Sequence, residues 1–290
     1  MPERKAKPMK GDQQMFTPPP EVKPETRRSK PASSRKLWTR DKASLIERYI
    51  YGFVMVAKHG TYIDGFAGWQ HPGVHETWAA YRVLELEPRW MKRFLLFDND
   101  PKTILPLEEL RSKHNKDGRQ VKVFEQDFNE GVSRILIPEY VPPAHATFCL
   151  IDQRTFECHW DTVAALANYK RNTEFKIEVF YFLARGWFDR TVAGRTSDTG
   201  RAGIRAWWGR EDVDEVIRMS AFTRAETLEK RFTEELGYNF SRKFAIYDPE
   251  QPTRVMYYMI HATDHPRGSD LMDNAYESVV KPGPWDQLRL

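Results

Sequence analysis

From Asp41 to His59 the apolar residues Leu45, Ile46, Tyr49, Ile50, Phe53 and Val54 recur at helical spacing, and Gly60 follows as a stop. This pattern predicts an amphipathic helix, with order beginning near Trp38. A short apolar run, Thr61–Ile63, then predicts a strand that enters Asp64-Gly65-Phe66-Ala67-Gly68. The alternation continues with a helix over Glu76–Glu87, a strand over Arg93–Phe97 ending at Asp98, and a helix over about Lys102–Lys113. Val121–Phe124 reads as a third strand ending near Asp127, followed by a short helix through Ile135. Ala146–Ile151 reads as a fourth strand ending in Asp152, and a helix carrying Val163, Leu166 and Ala167 on one face comes next. The fifth strand, Ile177–Leu183, is apolar on both faces, as a central parallel strand should be. Residues 186–240 read as mainly helical, Phe244–Tyr247 and Val255–His261 as a hairpin pair, and Ser269–Val280 as a closing helix.

Five strands alternating with helices predict a parallel sheet covered on both faces, and right-handed crossovers make it doubly wound. With a terminal hairpin added, this is the strand inventory of the class I methyltransferase-like Rossmann fold. The predicted organisation is a tail over residues 1–36 and one α/β domain over 37–290, with the helical stretch at about 186–240 inserted in it.

Charge changes the picture only at the start of the chain. Residues 1–36 hold 10 Lys/Arg and 4 Asp/Glu, so the net +4 of the whole chain comes from there, and the remainder is slightly acidic. That segment contains Pro18-Pro19-Pro20 and little that is apolar, so it is expected to be a disordered basic tail. Its bland role is solubility, and its sharper role is an arm that touches nucleic acid. No apolar run approaches the roughly 18 residues needed to cross a bilayer, and the start lacks the apolar stretch of a secretory signal. A cytoplasmic protein is expected. Cys149 and Cys158 are the only cysteines, too few for a disulfide framework or a Cys-ligated zinc site.

In an open α/β sheet the ligand lies beyond the carboxyl ends of the strands. An acid stands at or near the end of each of the first four: Asp64, Asp98, Asp127 and Asp152. Any one of them is as readily a helix N-cap; four at strand ends point to a site. The turn Asp64-Gly65-Phe66-Ala67-Gly68 resembles motif I of class I methyltransferases, whose glycine loop wraps the methionine end of S-adenosylmethionine. By that resemblance Asp64, Gly65, Phe66 and Gly68 hold the cofactor, Asp98 accepts the ribose hydroxyls, and Asp127 contacts the adenine amino group. Asp152 stands where amino-methyltransferases carry Asp-Pro-Pro-Tyr, but Gln153-Arg154-Thr155 follows it here. The residues that hold a target amine in those enzymes are therefore missing.

Longer strings are more specific. TYIDGFAGWQ, FLLFDNDP, IDQRTFECHWDTV, AWWGR, RFTEELGY and MYYMIHATDHP resemble those of the three-Cys-motif partner protein family, TcmP, over about Trp38–Val280. The resemblance implies a methyltransferase-like fold and a three-Cys-motif protein, similar to radical-SAM enzymes, as partner, and it supplies no substrate or reaction. With the motif I likeness, the leading expectation is an S-adenosylmethionine-dependent methyltransferase of unknown substrate, with Asp152 as base or orienter and Arg154 as clamp for an anionic group; the alternative is a non-catalytic partner subunit that keeps the fold. His261, Asp264 and His265 read as a polar turn before a helix and not as metal ligands, and Trp207-Trp208 reads as core.

Overall fold

The structure is a computed structural model that describes residues 32–185, 198–248 and 251–280. Seven strands form one sheet: β1 (Gly60–Asp64), β2 (Met91–Asp98), β3 (Gln120–Glu125), β4 (Thr147–Ile151), β5 (Glu178–Ala184), β6 (Phe240–Asp248) and β7 (Gln251–Thr263). Their order is β3-β2-β1-β4-β5-β7-β6. The first five are parallel, while β7 runs antiparallel between β5 and β6. A parallel set whose order reverses between β1 and β4, with an antiparallel strand inserted beside β5, is the class I methyltransferase-like Rossmann arrangement.

Because side chains alternate along a strand, each central strand feeds two cores. Tyr62, Phe94, Leu96, Phe148, Leu150, Phe180 and Phe182 point to one face. Ile63, Leu95, Phe97, Cys149, Ile151, Val179 and Tyr181 point to the other. The first face is covered by α1 (Ala32–Ala57), α2 (Ala79–Glu85), α3 (Pro101–His114) and α9 (Gly268–Val280), through residues such as Ile46, Val83, Leu107 and Met272. The second is covered by α4 (Phe128–Ile135), α5 (Trp160–Tyr169) and the helices α6 (Asp198–Trp208), α7 (Val213–Arg218) and α8 (Ala221–Glu234). A fully buried Leu or Phe contributes about 1.5–3 kcal/mol, so these two layers dominate the stability.

Trp207 and Trp208 are fully buried, as the sequence predicted. Arg231 of α8 lies beside Trp208, its guanidinium carbon 3.9 Å from the Trp160 ring centroid and 4.8 Å from that of Trp208. It donates to the Trp208 carbonyl at 2.6 Å and to both carboxylate oxygens of Glu235 at 2.8 and 2.9 Å. Gly209 ends α6 with φ +68°, and a Cβ there would meet Trp160 at 2.6 Å, so this turn requires glycine.

Two predicted boundaries differ. α1 begins at Ala32, within the segment expected to be tail; the expectation of disorder for the residues before it, and the stretch 186–197 of the helical insertion, lie outside the described residues. The helix predicted over Glu76–Glu87 is a 3-10 turn at His75–Thr77 followed by the short α2. Trp78 separates them in extended conformation, with its indole N–H donating to the Ala67 carbonyl at 2.6 Å. A tertiary hydrogen bond overrides the local periodicity there. No described helix is long and apolar enough to cross a membrane.

Candidate functional site at the carboxyl edge of the sheet

Parallel strands place their carboxyl ends along one edge, and all four predicted acids lie on it. Asp64 and Asp98 are the last residues of β1 and β2, Asp152 follows β4 directly, and Asp127 lies just past β3. The turn after β1 is drawn across this edge by its own backbone. The Gly65 N–H donates to the Leu150 carbonyl, that of Ala67 to the Phe97 carbonyl, and that of Gly68 to Oδ2 of Asp98 at 2.8 Å. Gly68 is required by this approach: a Cβ would lie 2.3 Å from Asp98 Oδ2 and 2.8 Å from Thr103. Phe66 packs its ring edge-on to Phe128 and gives its N–H to Asp64.

Asp64 is buried. It accepts the Tyr62 hydroxyl at 2.9 Å and the Phe66 N–H at 3.1 Å. Burial pushes its carboxyl up to about 7, opposed by those two hydrogen bonds and reinforced by the neighbouring carboxylates of Asp152 and Asp98. The ordinary value is 3.8, so between about pH 4 and 7 the folded chain holds a proton that the unfolded chain has released. Stability is therefore expected to fall as pH rises through that window, by up to about 1.4 kcal/mol per pH unit, and to level off above it. Urea denaturation across that range should show this decline in the wild type and a flatter curve in Asp64→Asn. Parallel curves would remove Asp64 as the cause.

Asp152 is 9% exposed, and its carboxylate is engaged on both oxygens. Lys42 of α1, 2% exposed, donates from Nζ to Oδ1 at 2.7 Å, and the Gln70 amide donates to Oδ2 at 3.3 Å. The Lys42 ammonium also sits 5.3 Å from the Phe182 ring centroid and 4.9 Å from that of Tyr257. The loop after Asp152 is fixed by buried Gln153, whose amide donates to the Phe182 carbonyl and accepts the Cys158 N–H. Asn129 of α4 pins the far end of the loop through Glu157, His159 and Thr162. This side-chain clamp stands where the resembling enzymes use prolines.

Asp64, Gly68, Gln70, Trp78 and Asp152 line one small, partly open space of about 10 Å³, room for a single water. Asp98 joins them through Gly68. Asp127 and Arg154 do not line this space. Asp127 caps α4 by accepting the Asn129 N–H at 2.8 Å. Arg154 is exposed, and its backbone N–H donates to Glu157. The Asp152 carboxylate already faces Lys42, a residue the sequence reading did not select. Lys42 carries one signal that marks it: it stands three and four residues before Leu45 and Ile46, on the apolar stripe of its helix. His261 and Asp264 are used elsewhere, His261 beside Glu178 and Asp264 with Lys176 and Asn239. Among the described residues no cluster of three or more His, Cys, Asp or Glu side chains is placed to hold a metal.

Sheet order and edge define a methyltransferase-like α/β protein. No family model matches the sequence, and no curated protein does. Among solved structures, the chain is similar to the methyltransferase domain of a bacterial Hen1, CtHen1-C, at 9% identity and TM-score 0.45, covering 78% of this chain and 98% of that one. It is also similar to the small RNA methyltransferase HEN1 at 11% identity and TM-score 0.44, where 74% of this chain spans 25% of that protein.

Proposed function

We propose that the carboxyl edge binds S-adenosylmethionine and that the chain is a methyltransferase of the three-Cys-motif partner kind. The observation that supports this reading is the glycine turn lying against Asp98 beneath a row of strand-end carboxylates. The donor set fits the cofactor. Asp98 accepts one N–H at each oxygen, from Gly68 and Asp100, and a carboxylate oxygen has a second lone pair for a ribose hydroxyl. Gly68 lies tight against Asp98 and Thr103, and the small space beside Asp152 has room for one water; a ligand reaching Asp152 from that side displaces the Gln70 amide. When bound, the cofactor supplies a methyl group on a sulfonium. The residues hold it in place: Asp64 by fixing the turn through the Phe66 N–H, Gly65, Phe66 and Gly68 by shape, and Asp98 by hydrogen bonds, with Asp127 at the adenine end. Asp152 orients the acceptor, and Arg154 reaches out from the rim toward an anionic group on it.

A second reading is favoured by the Lys42–Asp152 pair. With Asp152 satisfied on both oxygens inside the protein, the chain serves as a non-catalytic partner of a three-Cys-motif protein. The basic tail is proposed as a contact for nucleic acid in either case. Calorimetry separates the two. Wild-type protein should bind S-adenosylmethionine or its demethylated product, and Asp98→Ala should weaken binding by about 1.5–3 kcal/mol, the value of hydrogen bonds to a charged group. Asp152→Asn should leave that affinity nearly unchanged while transfer to the acceptor stops. No heat with either ligand, with or without the partner, would end the methyltransferase reading.

A further inference from the structure

The opposite edge of the sheet, where the parallel strands begin, carries a second polar constellation that the proposed function does not use. His59 leads into β1, Arg93 lies in β2 in register with Thr61, and His145 leads into β4. Lys170 follows α5, the helix that returns the chain to this edge. The four are in contact. The rings of His59 and His145 are 4.9 Å apart between centroids, Arg93 Nη1 is 3.0 Å from His145 Nδ1, and Lys170 Nζ donates to the His145 carbonyl. A guanidinium only donates, so His145 Nδ1 accepts and, in the neutral ring, its proton is on Nε2.

Two features of this group are out of balance. First, among the described residues none of the four is paired with a carboxylate. Burial alone pushes the Lys170 ammonium down to about 8, and burial, then Arg93, His59 and Lys170, lower His145. Second, three polar atoms here are buried with no hydrogen-bond partner: His59 Nδ1, Thr61 Oγ1 and Arg93 Nε. Leaving buried donors unfilled beside uncompensated positive charge is costly, and native proteins rarely tolerate it without a partner. A water fills one or two such positions but brings no charge. An oxyanion brings the charge and several acceptors at once.

We propose that His59, Thr61, Arg93, His145 and Lys170 form a binding site for a tetrahedral oxyanion, a phosphate group either free or at the end of a ligand. Arg93 Nε, the Thr61 hydroxyl and a His59 ring N–H donate to its oxygens, and Lys170 adds a second positive charge to that of Arg93. His59, Arg93 and His145 are each partly open to solvent, while Thr61 and Lys170 are buried.

The test uses the full chain and follows the histidine ring nitrogens by NMR while inorganic phosphate is added at constant ionic strength, with chloride as the control ion. Saturable shifts are expected at His59 and His145 and not at His75 or His265. Arg93→Gln and Lys170→Met should each weaken the phosphate affinity by about tenfold or more, the effect of losing one charge-assisted hydrogen bond. A nucleoside 5′-monophosphate that binds more tightly than phosphate through the same residues assigns the group to the end of a ligand, and equal affinity assigns it to the free ion. Absence of saturable shifts in the wild type, or unchanged affinity in a folded Arg93→Gln or Lys170→Met, would overturn the proposal and leave a water-filled polar seam. Because the readout is at the opposite edge of the sheet, loss of S-adenosylmethionine binding leaves this result untouched.

Discussion

Lys42→Met is expected to destabilise the protein by about 3–5 kcal/mol, the penalty of leaving one member of a buried ion pair without its partner. Methionine keeps most of the side-chain volume against Phe182 and Tyr257, so the loss isolates the charge rather than the packing. What remains is the Asp152 carboxylate, 9% exposed, with only the Gln70 amide at 3.3 Å to replace an ammonium at 2.7 Å. The double variant Lys42→Met/Asp152→Asn should recover a large part of the loss, because no unpaired charge is then buried. Urea denaturation of the wild type, the two single variants and the double variant gives the coupling directly. Additive losses would mean that the pair does not hold the crevice together. The same variants bear on function: a Lys42→Met protein that keeps its fold but gains affinity for a cationic ligand would show that the ammonium occupies ground the ligand needs.

The second large effect is expected at Arg231. Replacing it with leucine removes three hydrogen bonds, two of them to Glu235, and the contacts with the faces of Trp160 and Trp208. Hydrogen bonds to a charged group contribute about 1.5–3 kcal/mol and desolvated cation–π contacts up to about 2. Glu235 is partly exposed, so water recovers some of the ion-pair loss. A net destabilisation of about 3 kcal/mol follows. Arg231→Lys should restore little of it, since an ammonium cannot span a bidentate carboxylate while lying flat between two indoles. Thermal unfolding followed by tryptophan fluorescence checks this; near-native stability in Arg231→Lys would show that charge alone suffices.

The parts of the fold that were legible in the sequence are those set by local periodicity. The alternation of Tyr62/Ile63, Phe94/Leu95 and Phe148/Cys149 between two faces is a two-residue pattern, and the doubly wound arrangement follows from connection rules. The acids at the strand ends were legible because parallel topology carries a one-dimensional position to one edge. What was not legible depends on contacts across the chain. Lys42 and Asp152 are 110 residues apart, and a lysine on a helix ordinarily signals water. Gln153 looked like a departure from a motif, whereas its amide spans from the Cys158 backbone to the Phe182 carbonyl and holds the loop that the motif's prolines would stiffen. Trp78 broke a helix through a bond to Ala67 that no periodicity encodes.

The helix α1 is fastened at two levels. Lys42 reaches the carboxyl edge, and two turns further on Tyr49 hydrogen-bonds buried Glu178, and His261 at 3.1 Å, 212 residues away in the chain. Its docking surface includes β6 and α9, which come after all five parallel strands in the chain. Closing loops of that length is slow and cannot be rewarded until both ends exist. On the ribosome, then, the helix that emerges first among the described elements can pack early on α2 but gains β6 and α9 only after β1–β5 have been made. Of its polar fastenings, the contact from Tyr49 to His261 is the one that must wait longest.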